Sequence, residues 1–311
     1  MVSMRTVGLR RQRGVALITV LLVFVLVAVI ATEMLHRSQL SLRSVGNLLE
    51  TRQAYYYALG GEAYARQVLA KDVVDGHGDI DALSEAWAQT KDQQPFEIDN
   101  GNMQIEINDL QGRFNLNSVT DPVGIDRFAR LLKALQLNPN YANEWHRWIT
   151  SRQSKAENSE SGGGLMPGQP EADVSALRLL PSMQPQDYAK LAPHVAVLPN
   201  DEGGKSAKIN INTADEVVLQ ALWPTLSAQI LAKQKAGGYT KIADASAELN
   251  ENVAAVNSNF FEVIVTVKYA DRWQRVRTVL ARSKRINNGQ SKIEFKVISR
   301  VRSPLIDDLD F

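Results

Sequence analysis

Apolar positions along the chain change their period several times, and each change predicts a different element. From Val15 to Ala31 they are continuous: VALITVLLVFVLVAVIA carries no charge, and the first acid is Glu33. With Thr32 this makes eighteen residues, about 27 Å of helix at roughly 1.5 Å per residue, near the thickness of a bilayer's hydrocarbon core. No proline follows before Lys71, and Leu35, Leu42, Val45, Leu49, Tyr56 and Ala63 recur at spacings of three, four and seven. One helix is therefore expected to run on to about Lys71, roughly 85 Å in all, with an apolar stripe along one face. Tyr55-Tyr56-Tyr57 reads as core packing, and Gly60-Gly61 as a place where the helix loosens or another element comes close. The period then falls to two in Met103–Asn108, a strand, with a turn at Asp109–Arg113. From about Ser118 to Asn250 the pattern is helical. Ile125, Phe128, Leu131, Leu132, Leu135 and Leu137 fit one amphipathic helix ending near Asn138-Pro139, and Tyr141–Thr150 fits a second. Residues Ser151 to Pro170, with Gly162-Gly163-Gly164 and two prolines, read as a linker. Ser227–Lys235 reads as a helix closed by Gly237-Gly238-Tyr239. Period two returns in Phe260–Lys268, Trp273–Leu280 and Ile293–Ile298, with turns at Ala270-Asp271 and Ile286–Gly289: an antiparallel meander. The expected fold class is α+β, a long N-terminal transmembrane helix packed on an antiparallel sheet, with a large all-α domain inserted between its strands.

Charge sharpens the reading of the N-terminus. The chain has 311 residues with 35 Lys and Arg, 34 Asp and Glu, and no cysteine. Arg5, Arg10, Arg11 and Arg13 precede the apolar run with no acid among them, so the short tail is expected to stay cytoplasmic and the rest to face outward. Without those four arginines the remainder holds 31 basic against 34 acidic side chains. Such a body is a poor general nucleic-acid binder, because phosphate contacts need clustered cations. Lack of cysteine removes thiolate catalysis and zinc ribbons. Three membrane readings stand: a secretory signal cut before Thr32, an uncleaved anchor, and a third suggested by Arg13-Gly14 lying directly against the apolar run. That junction resembles a class III, prepilin-type leader, which implies cleavage between Gly14 and Val15 and retention of the apolar segment. Glycine suits a tight protease cleft because it lacks a Cβ. Many pilin-type subunits carry glutamate at the fifth mature position; here that position is Thr19.

Further segments carry a resemblance to one family. DLQGRFNLN (Asp109–Asn117), the segment Asp173–Leu180, and NINTA (Asn210–Ala214) follow the leader and the anchor without its glutamate, in an order similar to the minor pseudopilin protein K family of the type II, or general, secretion pathway. The resemblance implies a leader over 1–14, an N-terminal helix over 15–72 with its membrane part at 15–32, a discontinuous pseudopilin domain over 73–115 and 251–303, an inserted helical domain over 116–250 and a tail over 304–311. It implies a minor pseudopilin at the tip of a pseudopilus, an inner-membrane, single-pass protein with a periplasmic body, helping to start the fibre that exports folded proteins. The implied partners are other minor pseudopilins of the tip, the major pseudopilin, prepilin peptidase and the inner-membrane assembly platform. A membrane-anchored DNA receptor and a minor pilin of a type IV or competence pilus are the alternatives.

Candidate chemistry is sparse. Asp75, Gly76, Gly78, Asp79 and Asp81 look faintly like a calcium loop but lack the alternating ligands and closing glutamate of an EF-hand. The family resemblance also implies calcium ligands after Trp148-Ile149, yet Thr150 and Arg152 stand at the two acidic positions, and Glu157, Glu160, Glu171 and Asp173 are unevenly spaced. No metal or cofactor is therefore assigned. NINTA resembles the opening of a helix-hairpin-helix (SAM-like) segment, with Thr213 expected to N-cap the next helix and Glu216 to complete a capping box. Trp223-Pro224-Thr225-Leu226 replaces the glycines that would present bare N–H groups to a phosphate, and proline has none. Nucleic acid is thus not an expected partner. His36, His77, His146 and His194 are scattered outside any metalloprotease motif, and there is no Gly-x-Ser-x-Gly, so no catalytic residue is assigned.

Overall fold

The computed structural model describes residues 13–74, 79–157, 173–200, 206–247, 249–287 and 290–303. The chain divides between Gln53 and Ala54 into two compact units. Helix α1 (Arg13–Val74) is continuous over 62 residues, as the unbroken, proline-free pattern requires. Within the first unit its apolar side chains from Leu17 to Ile30 are all more than half exposed. By length and composition this is a helix able to cross a membrane, with a mean hydropathy of 2.7 over an 18-residue stretch.

The second unit begins where small residues appear on one face of α1. Ala54, Ala58, Ala65 and Leu69 are fully buried against a sheet, at spacings of four and seven. This is not the face that the apolar stripe suggested. Leu35, Leu42, Leu49 and Tyr56 of the stripe are 60–70% exposed and Val45 is 51% exposed. Of the three tyrosines, Tyr55 and Tyr57 pack on the core and Tyr56 points away. Gly61 is the point of closest approach: a Cβ there would lie 2.7 Å from a Val265 methyl and 2.9 Å from Met103 Sδ.

The sheet has five strands: β1 (Phe96–Ile98), β2 (Gly101–Asp109), β7 (Phe260–Tyr269), β8 (Arg272–Asn287) and β9 (Gln290–Ser303), in spatial order β1-β2-β7-β8-β9 and antiparallel throughout. The meander is present and its strands run longer than their alternation suggested. Alternate residues Phe261, Val263, Val265 and Val267 of the central strand are buried with Ile105, Ile107, Val276 and Leu280. Trp87 closes this core edge-on against Phe261, with ring centroids 5.4 Å apart. The turn into β8 holds Ala270 at φ 49°, the positive value that a two-residue hairpin turn demands. Of the turn expected at Ile286–Gly289, Ile286 and Asn287 belong to β8, and Asn288 and Gly289 lie outside the described residues.

Between β2 and β7 the chain builds the inserted domain from β3 (Phe114–Asn115), α2 (Pro122–Ala134), α3 (Tyr141–Glu157), α4 (Pro185–Leu191), β4 (Val195–Ala196), β5 (Ile209–Asn210), α5 (Glu216–Leu222), α6 (Ser227–Lys235), α7 (Ile242–Ala245) and β6 (Ala254–Ala255). Asp121 caps α2 by accepting from Gly124 N–H at 2.7 Å, with Pro122 in the first turn, where its missing N–H costs nothing. The helix ends at Leu135, and Gln136 takes a left-handed φ of 58° before Pro139. Phe128, Leu131, Leu132 and Trp145 form the buried centre, and Trp145 Nε1 donates to Leu116 C=O at 2.9 Å. One reading changes here and two features are added. Residues 151–157 continue α3 rather than open the linker, whose remaining glycines and prolines lie outside the described residues. Val174–Leu179 is a 3₁₀ helix, capped by Asp173. The two-residue parallel pairs β3·β4 and β5·β6 were not predicted, since two residues carry no readable period.

Candidate site at the junction of two motifs

The two motif-like stretches of the sequence, DLQGRFNLN and NINTA, meet. Asp109 ends β2 and turns its carboxylate toward β5. Its Oδ2 accepts from Ser258 Oγ (2.5 Å), Thr213 Oγ1 (2.6 Å) and Asn210 Nδ2 (3.0 Å), and its Oδ1 accepts from Gln111 N–H (2.7 Å). Asn210 N–H in turn donates to Gln111 C=O at 2.9 Å. Burial pushes the Asp109 carboxyl above its ordinary range, while these donors favour its ionised form.

Asp81 stands beside it and joins three separate parts of the chain. Its N–H donates to Val256 C=O, its C=O accepts from Asn210 Nδ2, and its Oδ2 accepts from Ser258 N–H at 2.7 Å. Arg282 Nη2 donates to both Asp81 oxygens at 2.7 and 2.6 Å and to Ser258 C=O at 2.8 Å, with its guanidinium 4.7 Å from the Phe261 ring centre. Burial lifts the Asp81 carboxyl to about 7 against the opposing pull of Arg282. Asp72, Asp81 and Glu85 bring oxygens within 4.8 Å of one another. Arg282 supplies positive charge to two of them, with Asp72 Oδ2 3.5 Å from its Nη1. Glu85 Oε2 accepts from Trp87 Nε1 and Ala82 N–H. Asp81 thus belongs to an ion pair, while Asp75, Gly76 and Gly78 of the suggested loop lie outside the described residues.

A second buried ion pair ties α1 to the sheet. Glu62, 2% exposed, accepts from Thr278 Oγ1 (2.7 Å), Arg300 Nε (2.8 Å) and Arg300 Nη2 (2.7 Å), and also from Arg66. Burial raises its carboxyl, but the hydrogen bonds of Arg300 and Thr278 and the charges of Arg300 and Arg66 outweigh that and hold it below its ordinary value.

The expected capping box is not formed. Asp215 caps α5, accepting from Val218 N–H at 2.8 Å, because Thr213 is drawn two residues away to Asp109. Glu216 sits in the first turn and accepts from Gln220 instead. Asp215 also holds His194, Nδ1 to Oδ2 at 2.6 Å. The hairpin segment is otherwise inward-looking. Asn212 accepts from Tyr239 N–H at 2.7 Å and donates to Tyr239 C=O at 2.9 Å; Gly238, at φ 87°, leaves no room for a side chain beside it. Gln234 donates to the carbonyls of Ile211 and Ala214. At the turn where a DNA-binding hairpin would offer N–H groups, those of Leu226 and Ser227 both donate to Trp223 C=O.

Of the remaining candidates, Gly14 and Val15 lie in the first turn of α1 and Thr19 lies exposed on it. His146 meets Val119 C=O through Nδ1 at 3.0 Å, and Thr150 Oγ1 donates back to His146 C=O. Arg282, Ser258, Glu62 and Arg300 were missed by sequence reasoning. One signal was available: Arg282 continues the inward alternation Val276, Thr278, Leu280, and a cation on an apolar face requires a buried acid.

Comparison with known proteins agrees with this architecture. Two family models, both described as type II secretion system protein K, match residues 112–200 and 209–263. The protein K of Pseudomonas aeruginosa is 34% identical over 308 residues, covering 88% of this chain and 90% of that one. The Klebsiella pneumoniae protein K is 31% identical over 262 residues, covering 75% and 78%. In fold, the chain is similar to a chain of the crystal structure of the GspK–GspI–GspJ complex from enterotoxigenic Escherichia coli, with a TM-score of 0.63 at 21% identity over 83% of this chain and 98% of that one. With 34% identity to a relative over 88% of its length, the chain belongs to the type II secretion system protein K family.

Proposed function

We propose that the chain is a minor pseudopilin of a type II secretion system, with an assembly role and no catalytic step or bound cofactor of its own. The observation that carries this reading is α1, an exposed apolar span continuous with a helix whose small-residue face packs on a sheet interrupted by an inserted domain. Prepilin peptidase would cut between Gly14 and Val15, leaving the span in the inner membrane and the body in the periplasm. The exposed stripe of Leu35, Leu42, Val45 and Leu49 is then free to pack on neighbouring pseudopilin helices. Thr19 makes no demand for a partner's terminal amine, which a buried carboxylate in lipid would. The inserted domain is too broad to be repeated inside a fibre, which supports a place at its tip, with two smaller minor pseudopilins as partners, the major pseudopilin below them and the assembly platform at the membrane. The related complex of GspK with GspI and GspJ supports this choice of partners.

The test is the mass of the N-terminal peptide of protein purified from native membranes. A start at Val15 is expected; a start at Thr32 or an intact Met1 overturns the reading. Co-purification with two small anchored subunits is the second expectation.

A further inference from the structure

Positive charge is concentrated in one hairpin. Residues 272–303, which form β8 and β9, contain ten Lys and Arg and a single acid, Glu294, in a chain whose formal net charge is +1. Acids from other elements answer part of it: Asp81 and Asp72 face Arg282, Glu62 faces Arg300, Glu262 faces Arg277 and Asp79 faces Lys284. Along β9, Phe295 and Val297 point to the core beneath α1, which sets Lys292, Glu294 and Lys296 on the opposite face. Lys292 is 73% exposed, 3.2 Å from Glu294, and Lys296 is exposed.

The two edges of the sheet are finished differently. At the β2 edge a short β1 and the 3₁₀ turn Ala88–Asp92 cover the main chain. Gln104 donates to the carbonyls of Thr90, Lys91 and Gln93, and Thr90 Oγ1 accepts from Ile107 N–H at 3.1 Å. At the other edge, β9 runs for 14 residues and, among the described residues, has a strand on one side only. An uncovered edge of that length is a template for strand addition. Its lysines set like charges against a second copy of itself. Nucleic acid or lipid headgroups would answer the cations but not the alternating N–H and C=O groups, which only another peptide matches.

We propose that β9 is a docking strand: it takes up an extended, acid-bearing segment of another pseudopilin as a sixth strand, with carboxylates of that segment facing Lys292 and Lys296. This rests on the pseudopilin reading above and names the surface by which the partner is held. Hydrogen exchange of the full chain in detergent, alone and assembled with the two small pseudopilins, tests it. Amides of 290–303 are expected to slow at least tenfold on assembly. The double variant Lys292→Glu/Lys296→Glu, at two exposed positions, is expected to keep the parent's melting temperature, to bind about tenfold more weakly and to lose much of the salt dependence. Assembly with unchanged exchange in β9 overturns the proposal and leaves the pseudopilin reading intact. Absence of any assembly overturns both. Protection of β9 by duplex DNA or anionic vesicles, without protection by the subunits, assigns the hairpin to a polyanion and likewise overturns it.

Discussion

At the scale of single residues, the chain places polar side chains where their removal has unequal effects. Asp215 both caps α5 and holds His194. Burial raises its carboxyl, but the hydrogen bond from His194, the Val218 N–H and the His194 charge hold it below the ordinary 3.8. A depressed carboxyl stabilises the fold at pH values above its unfolded pKa, and that stabilisation is lost as the pH falls through the folded value. Asp215→Asn, which keeps the cap, should therefore unfold at lower urea than the parent at pH 7 and approach it as the pH falls through the depressed folded-state value. Asp215→Ala should cost about 1 kcal/mol more through the lost cap, and Glu216→Ala next to nothing, reversing the roles that the sequence suggested. Arg282→Met is expected to cost about 3–5 kcal/mol in urea unfolding, because it strands a buried carboxylate. The double variant Asp81→Leu/Arg282→Met should be milder than this single change. The cap was misread because a hydroxyl in a Ser/Thr-x-x-Glu pattern is a local signal, whereas Asp109, the group that captures Thr213, lies 104 positions away.

At the scale of elements, adjacent glycines of α1 behave as opposites. Gly60 faces open space, so Gly60→Ala should stabilise by about 0.5–1 kcal/mol through helix propensity alone. Gly61→Ala drives a methyl into Val265 and Met103 and should cost about 1–3 kcal/mol, read as a lower melting temperature. The continuous helix, the meander and the strand at Met103–Asn108 were legible because each has enough residues to display a period. The face by which α1 meets the sheet was not. Alanine and glycine score weakly beside Leu35, Leu42 and Leu49, so the pattern pointed to the larger, exposed residues. The pairing of Asp109 with Asn210, Thr213 and Ser258 was equally hidden, since hydrogen bonds between distant loops leave no periodic trace.

At the scale of the whole molecule, the boundary between Gln53 and Ala54 sets what can be removed. Residues 54–311 hold the sheet, the inserted domain and the polar junction that ties them, so a fragment starting at Ala54 should unfold in one cooperative transition by calorimetry. Two separate transitions would mean that the junction does not couple the sheet to the insertion. Sequence reasoning treated these as two domains, and periodicity alone could not have joined them: the joining groups are single polar side chains at element ends.

The pairing of β2 with β7 also dictates a timetable. Asp109 and Phe261 are register partners, yet the whole inserted domain is synthesised between them. A chain that emerges from its N-terminus presents β2 first, and its ladder partner appears only after about 150 further residues have passed. Until then half of the sheet's central pair waits unmatched, while the insertion already has the local helices needed to collapse. Pairing across that gap carries the entropic cost of closing a long loop, and a folded insertion lowers that cost by bringing its two ends side by side.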